Sequence, residues 1–217
     1  MDKLLTVVIP SYNVEKFLNQ TLDSFICDEA VMKKFEVIVV DDGSKDNTAK
    51  IGKEYADKYP DTFRVISKEN GGHGSTINCG IRNAVGKYFK VVDGDDWVNT
   101  ADFVKLVEDL EKTESEYVFT NYYEYYDDVN RQKAVDFPQF KDGTEYDFAD
   151  VANKVYIPMH ALVIKTSVLK DNNIVIDEKC FYVDVEYVMF PVPFVNKVTF
   201  FDLHVYMYRL ALSTQSV

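Results

Sequence analysis

Four short apolar segments dominate the first part of the chain, and each is followed by a polar turn and a helical pattern. They cover residues 4–9, 35–40, 63–66 and 88–92. Continuous apolar runs of this length are typical of strands buried on both faces of a sheet. Strands that alternate with helices predict a parallel sheet with right-handed crossovers. We therefore expect an α/β fold with a Rossmann-like, mostly parallel central sheet flanked by helices.

The alternation stops after a predicted helix at residues 102–110. Strands are predicted at 117–126, 161–164, 198–201 and 205–208, and helices at 148–155, 166–172 and 185–195, the last interrupted by Pro191 and Pro193. With 217 residues, of which 47% are hydrophobic, the chain is long enough for one substantial core. We expect a single domain over residues 1–217, with a ligand-binding half at 1–98 and a smaller mixed half at 99–217.

Polar residues follow three of the predicted strands, at 10–13, 41–46 and 93–96. In an open α/β sheet, ligands bind in the crevice beyond the carboxyl ends of the strands. Asn13 also precedes an amphipathic stripe that runs to Ile26, so it is predicted to be the N-cap of the first helix. The sequence therefore predicts a binding crevice where these three turns meet.

The formal net charge of −12 limits the ligands that the chain can attract. Such a charge repels nucleic acid and anionic lipid surfaces, so neither is an expected partner. An anionic ligand must then be held locally by a metal ion, by backbone N–H groups or by a few placed cations. The three cysteines show no C-x-x-C spacing, which argues against a disulfide framework or a zinc site. No apolar stretch is long enough to span a bilayer.

The strongest signal for a site is Asp93-Gly94-Asp95-Asp96, at the end of the fourth predicted strand. Gly94 permits a sharp turn, so the carboxylates on either side of it can both face the crevice. Hard oxygen ligands suit Mg²⁺ or Mn²⁺, and such an ion would neutralise a diphosphate inside this acidic chain. The alternative is an Asx-rich turn that caps the helix beginning near Thr100.

A second acidic cluster, Asp41-Asp42-Gly43-Ser44, follows the second predicted strand. A carboxylate there can accept hydrogen bonds from a ribose hydroxyl or a base N–H. Alternatively, Asp46 or Asn47 caps the next helix. The fingerprints of dinucleotide dehydrogenases and P-loop enzymes are absent from the sequence, which disfavours both classes. The glycines at 71, 72 and 74 offer backbone amides to a phosphate instead.

Taken in order, four motifs resemble the family-2 glycosyltransferases. They are Val7-Val8-Ile9-Pro10-Ser11-Tyr12-Asn13, Val37-Ile38-Val39-Val40-Asp41-Asp42-Gly43-Ser44, Asn70-Gly71-Gly72 and Asp93-Gly94-Asp95-Asp96. The resemblance is sharp over residues 4–98 and looser at 181–187 and 208–217. It implies the GT-A nucleotide-diphospho-sugar transferase fold, with a nucleotide-sugar-binding half at 1–98 and an acceptor-binding half at 99–217.

The resemblance also implies roles for single residues. Asp95 would be the principal metal ligand, with Asp93 as a second ligand and Asp96 in support. The nucleotide-sugar-binding residues would be Pro10, Tyr12, Asn13, Asp41, Asp42, Gly72, His73, Asp93 and Gly94.

The catalytic base implied by the resemblance is Asp184. The family usually has a Glu-Asp pair at this point, but Val183 takes the first position here, so Glu186 is kept as a rival. The implied mechanism is a single displacement, in which the base takes a proton from the acceptor hydroxyl and the anomeric configuration inverts. A solvated acid near the start of a helix is the alternative role for Asp184.

The implied function is transfer of a sugar from a nucleotide diphosphate-sugar, expected to be a UDP-sugar, to a hydroxyl of a glycan or lipid-linked acceptor. The expected cofactor is Mn²⁺ or Mg²⁺, and the expected setting is glycan or polysaccharide biosynthesis in a bacterial cytoplasm. Association with a membrane would require a segment beyond Val217 or the lipid of an acceptor, and a homodimer is compatible with the sequence.

Two other interpretations stay open. A sugar-1-phosphate nucleotidyltransferase shares the core but would carry a Gly-rich, Arg-containing loop where this chain has Pro10-Ser11-Tyr12-Asn13. A non-catalytic nucleotide- or glycan-binding domain also stays open, because Val183 departs from the family's usual pair of acids.

Three further side chains are candidates for the cleft. His73, in the glycine turn, is predicted to face a ligand, whereas His160 is predicted to be structural, with the cleft as its alternative position. Arg209 is a candidate for contacting the diphosphate, together with the segment that contains Gln215 and Ser216.

Overall fold

The computed structural model describes residues 3–211. Within that range the strands are β1 (Leu5–Ser11), β2 (Phe35–Asp41), β3 (Phe63–Ser67), β4 (Tyr88–Val91), β5 (Trp97–Val98), β6 (Tyr117–Tyr126), β7 (Arg131–Val135), β8 (Thr144–Asp147), β9 (Leu162–Lys165) and β10 (Lys197–Leu210). The α-helices are α1 (Leu18–Asp23), α2 (Glu29–Met32), α3 (Thr48–Lys58), α4 (His73–Asn83), α5 (Thr100–Asp109), α6 (Phe148–Val151), α7 (Thr166–Asp171) and α8 (Val183–Met189). Short 3₁₀ helices cover Leu110–Lys112 and Val192–Phe194.

All ten strands form one sheet in the order β3-β2-β1-β4-β9-β6-β10-β5, with β7 beside β6 and β8 beside β10. Strands β3, β2, β1 and β4 are mutually parallel, as predicted from the alternation of strands and helices. Strand β9 runs antiparallel to both β4 and β6, and β10 runs parallel to β6. The sheet therefore changes from parallel to mixed at β9, where the alternation in the sequence has stopped.

The sheet separates two apolar cores, one on each face. In β1, Val7 and Ile9 point into one core and Val8 points into the other, because successive side chains of a strand face opposite ways. A Cβ atom at Gly80 would lie 2.4 Å from Val8 Cγ2, so glycine lets α4 pack directly on β1. This close packing brings the start of α4, at His73, to the carboxyl ends of the central strands.

The predicted N-cap at Asn13 is wrong. Helix α1 begins at Leu18 with Phe17 as its N-cap, and Asn13 lies in a left-handed conformation with φ of 54°. The Asn13 side chain accepts a hydrogen bond from the Lys45 amide at 2.9 Å, and the Asn13 amide donates to Ser44 Oγ at 3.0 Å. Hydrogen bonds between the two loops therefore take the place of the first helical turn, which the local pattern could not indicate.

The second half differs from the prediction in several places, and α6 ends at Val151 instead of reaching residue 155. The segment predicted as two strands at 198–201 and 205–208 is the single strand β10, with irregular pairing to β6 between Phe201 and Tyr206. The helix predicted at 185–195 is α8, which ends at Met189 before Pro191, followed by a 3₁₀ turn. Proline removes a helical hydrogen bond, which explains the division. Among residues 3–211, no helix has both the length and the apolar character that crossing a bilayer requires.

Candidate functional site

Asp42, at the end of β2, holds the glycine turn in place. Its carboxylate accepts hydrogen bonds from the amides of Gly71 at 2.9 Å and Gly72 at 2.8 Å, and from Lys68 Nζ at 2.6 Å. Asp42 is 2% exposed. The amides of Gly71 and Gly72 were predicted to bind a phosphate, but in this structure they donate to Asp42. Asp41 is likewise buried, and its carboxylate accepts from the Ser44 amide at 3.0 Å.

The turn after β4 lies directly against the end of β1. The Gly94 amide donates to the Pro10 carbonyl at 3.1 Å, and a Cβ atom at Gly94 would meet that oxygen at 2.9 Å. The Thr21 hydroxyl lies 2.6 Å from the Asp96 carbonyl oxygen and ties α1 to the turn. The glycine is therefore needed for close approach, and the acidic turn is fixed from two sides.

The three carboxylates of this turn have different surroundings. Asp93 Oδ1 lies 2.8 Å from His73 Nε2. Asp96 is buried, and it accepts hydrogen bonds from the Tyr206 hydroxyl at 2.5 Å and the Arg209 amide at 2.7 Å. Among residues 3–211, no other residue donates a hydrogen bond to the half-buried Asp95 carboxylate. The turn thus contains one paired acid, one structural acid and one acid without a donor.

The pKa shifts follow from these surroundings. Burial and, after it, the charge of Asp93 raise the pKa of Asp95 to about 6. Burial alone would lower the pKa of His73, but the adjacent Asp93 outweighs it and raises that pKa. Burial would raise the pKa of Asp93, yet His73 outweighs it and lowers the pKa below its usual range. The two shifts agree, and they describe an ion pair beside a carboxylate whose charge Arg209 and His73 compensate only in part.

Asp93 and Asp95 fit a hard divalent cation. Two carboxylates one residue apart are oxygen donors of the type that Mg²⁺ and Mn²⁺ prefer. The raised pKa of Asp95 shows that its negative charge is poorly compensated by the protein. Asp96 does not share this position, because its oxygens are occupied by Tyr206 and Arg209.

Arg209 holds the acidic turn from the side of β10. Its Nε donates to the Asp95 carbonyl at 2.8 Å, and its Nη2 donates to Gln20 Oε1 at 2.6 Å. Its Nη1 also donates to Asp127. The guanidinium carbon lies 4.6 Å from the centroid of the Trp97 ring, within the range of a cation–π contact. Arg209 therefore contacts the backbone of the site. The predicted diphosphate contact also included the segment with Gln215 and Ser216, which lies outside the described residues.

Asp184 and Glu186 occupy different surroundings on α8. The negative charge of Asp184 reaches His73 and His160, where it acts to raise both pKa values as a smaller effect behind burial. Glu186 instead accepts a hydrogen bond from the Asp177 amide at 2.8 Å. Among residues 3–211, no group donates a hydrogen bond to the Asp184 carboxylate. The charge of Asp184 therefore acts on His73, the partner of Asp93, whereas Glu186 fixes a loop.

His160 forms part of an aromatic wall. Its ring stacks on Tyr208 with centroids 3.9 Å apart and meets the Tyr206 ring edge-on at 4.9 Å. Burial lowers the pKa of His160 to about 4, so the ring is neutral near pH 7. The backbone carbonyl of His160 accepts a hydrogen bond from the buried Lys90 ammonium at 2.9 Å. The wall therefore carries no charge from His160 and is anchored to β4.

Two of the predicted pocket residues lie in the loop that follows β1. Tyr12 is 49% exposed, and Asn13 bridges to the loop that contains Lys45. Sequence reasoning missed Tyr206, although its hydroxyl joins the Asp93 amide to the Asp96 carboxylate. No sequence signal marked Tyr206, because its partners are more than a hundred residues away and β10 was predicted as two strands.

Comparison with known proteins places the chain in a family. The family model described as "Glycosyl transferase family 2" matches residues 6–172. The chain belongs to this family. The matched range includes the acidic turns after β2 and β4 of this chain, and it ends before Asp184 and Arg209.

The relatives of the chain are glycosyltransferases. The uncharacterized glycosyltransferase EpsJ of Bacillus subtilis strain 168 is 37% identical over 123 residues, which are 57% of this chain and 35% of EpsJ. The chain thus spans about a third of that relative's length.

Two solved structures share the fold over 99% of this chain. The structure of residues 1–349 of S. aureus TarS with UDP-GlcNAc has a TM-score of 0.81 at 24% identity, with 62% of that chain covered. The mannosyltransferase PcManGT of Pyrobaculum calidifontis, in complex with GDP-Man and Mn²⁺, has a TM-score of 0.70 at 18% identity, with 59% covered. At these identities the likeness confirms the expected GT-A fold.

Proposed function

We propose that the chain is a metal-dependent, inverting glycosyltransferase that moves a sugar from a UDP-sugar to an acceptor hydroxyl. The proposed setting is the cytoplasmic biosynthesis of a glycan or cell-surface polysaccharide. The observation that carries the proposal is the Asp184 carboxylate, which has no donor among residues 3–211 and whose charge acts on His73, the partner of Asp93. A site that pairs an unoccupied base with an acidic turn suits proton removal beside a phosphate-bearing ligand.

The donor is proposed to lie across the ends of β1, β2 and β4, on residues 1–98. Pro10, Tyr12 and Asn13 would form one wall, with the acids of β2 and the glycine turn opposite. TarS has been solved with UDP-GlcNAc and PcManGT with GDP-Man, which supports a nucleotide diphosphate-sugar as the ligand class. We choose uridine for the base because TarS gives the higher structural similarity.

Asp95 and Asp93 are proposed to hold Mn²⁺ or Mg²⁺. When bound, the ion supplies a Lewis acid that stabilises charge on the leaving diphosphate. PcManGT with Mn²⁺ supports this choice of metal. His73 keeps Asp93 ionised. Arg209 holds the backbone carbonyl of Asp95, and Tyr206 holds the carboxylate of the buried Asp96. The protein's own part is to hold the acidic turn in one conformation.

Asp184 is proposed to act as the general base. Its carboxylate accepts the proton of the acceptor hydroxyl while the acceptor oxygen forms a bond to the anomeric carbon. The bond from that carbon to the diphosphate oxygen breaks on the opposite face, so the configuration inverts. A positioned base of this kind contributes about 10²- to 10⁴-fold to the rate.

The test compares Asp184→Asn with Glu186→Gln. The assay is donor hydrolysis with UDP-sugars and Mn²⁺, in which water replaces the acceptor hydroxyl, followed by release of UDP. We expect Asp184→Asn to lose about 10²- to 10⁴-fold, and Glu186→Gln to stay within a few-fold of the wild type. Undiminished turnover in Asp184→Asn would exclude this residue as the base.

A further inference from the structure

A groove of about 520 Å³ lies between α8 and the segment that follows α6. Its walls are mostly apolar, although it is open to solvent. Tyr156 is 57% exposed and Met189 is 49% exposed, so the rim presents apolar surface to water. Exposed apolar surface next to a functional site commonly marks a place where a ligand binds. The residues that define the groove are Val151, Ala152, Val155, Tyr156, Val188 and Met189.

One wall of the groove is formed by the helix that carries Asp184. Asp184 and Val188 are four residues apart on α8, and residues at that spacing lie one above the other on the same face of a helix. Tyr156, at the rim, lies close enough to Asp184 for that charge to raise the pKa of its phenol, behind the larger effect of burial. A molecule whose hydroxyl reaches Asp184 can therefore extend along this face of α8 toward the groove.

The groove contains one charged lining residue, Lys154. Lys154 is exposed, and no carboxylate among residues 3–211 lies within ion-pair distance of its ammonium group. In a chain with a net charge of −12, a cation at the mouth of an apolar groove is complementary to a ligand with an anionic group next to an apolar chain.

We propose that this groove binds the acceptor through a hydrocarbon chain, with Lys154 contacting a phosphate attached to that chain. The acceptor class is then a lipid phosphate that carries the reacting hydroxyl. This inference rests on the proposed function, since it takes Asp184 as the base. It adds an acceptor subsite on α6 and α8, outside the turns that are proposed to bind the donor.

The test measures the binding of hexyl, octyl and decyl phosphates by calorimetry, without donor and below their micelle concentrations. Burying a methylene group tightens binding about fourfold, so affinity should rise about fourfold for each added methylene. Ala152→Trp fills the groove and should flatten this dependence on chain length. Ala101→Trp, an equally exposed alanine on α5 at the other face of the sheet, is the matched control and should leave it unchanged.

Lys154→Ala should weaken decyl phosphate binding several-fold and leave the increment per methylene intact. Equal affinity for all chain lengths, or the same increment in Ala152→Trp, would overturn the proposal. A further result would also overturn it: sedimentation shows a dimer that Ala152→Trp separates, and no alkyl phosphate binds. The groove would then be the contact surface for a second copy of the chain. Binding of these probes needs neither donor nor base, so it is also measured on Asp184→Asn. A groove that does not bind alkyl phosphates can therefore be distinguished from an Asp184 that is not the base.

Discussion

The acidic turns after β2 and β4 look alike in the sequence and differ in the structure. Asp42 is buried and accepts hydrogen bonds from Lys68 and from the amides of Gly71 and Gly72. Asp95 is half-buried and receives no hydrogen bond from another residue in 3–211. A carboxylate with several donors is stable without a ligand, whereas one that receives no hydrogen bond from another residue is stabilised by a cation. The comparison separates an acid that builds the fold from an acid that is available for binding.

The largest effect expected from this comparison is the loss of sugar-transfer rate in the Asp95→Asn variant. Loss of a principal metal ligand should reduce transfer roughly 10²- to 10³-fold, because a metal ion contributes several kcal/mol of charge stabilisation. The folded state should survive, since no described hydrogen bond to the Asp95 carboxylate is lost. UDP release with Mn²⁺ measures the first effect and thermal melting measures the second.

The matched control for Asp95→Asn is Asp57→Asn, which alters an exposed ion pair on α3. This control should keep wild-type turnover. If Asp95→Asn keeps wild-type turnover as well, then Asp95 does not hold the metal.

The next largest effect is a lower free energy of unfolding in the Asp42→Ala variant. Removing one partner of a buried ion pair leaves the other charge uncompensated, so unfolding should become easier by about 3 kcal/mol. The amides of Gly71 and Gly72 also lose their acceptor. Urea denaturation measures the change. The double variant Asp42→Ala, Lys68→Met should recover part of the loss, and a loss below about 0.5 kcal/mol, as at ordinary surface positions, would contradict the structural role.

The parallel part of the fold was predictable because its strands are largely apolar. Strands β1, β2 and β4 are buried, β3 is partly buried, and polar turns bound all four, so local sequence was sufficient to locate them. Strand β10 was not predictable as one element, since its pairing with β6 is irregular between Phe201 and Tyr206. Long strands with interrupted pairing lose the regular alternation on which sequence analysis relies.

The acidic residues of the site were predictable as a group but not by role. The motif identified the residues from Asp93 to Asp96, yet only the three-dimensional contacts of Tyr206 and Arg209 show that Asp96 is structural. The same holds for Asp184 and Glu186, which are two residues apart and have different contacts. Neighbours in sequence point in different directions on a helix, and long-range partners decide which of them is available.

A smaller effect tests whether Asp95 and a nucleotide share one site. Saturation at about 100 times the dissociation constant adds about 2.7 kcal/mol of stability. We therefore expect thermal melting to shift upward with UDP and Mn²⁺, less with the diphosphates of guanosine or cytidine, and not with UDP and a chelator. Asp95→Asn should lose the shift and Asp57→Asn should keep it. An equal shift with the chelator would show that nucleotide binding does not require the metal.

The smallest effect is the pH dependence that Asp95 gives to the metal-free protein. Its folded pKa is raised to about 6 from an ordinary 3.8, so the folded state binds the extra proton between those values. The contribution to stability is thus fully present below pH 3.8 and is lost as the pH rises through 6. In Asp95→Asn this term is absent, so the variant should gain stability relative to wild type as the pH is raised from 5 to 7. Melting curves in chelator measure the difference, to which Asp96 also contributes because, after burial, the charge of Asp95 raises the pKa of Asp96. If the stability difference between Asp95→Asn and wild type is constant across this range, the charge of Asp95 is already compensated in the folded protein. The contrast with Asp42 would then be lost.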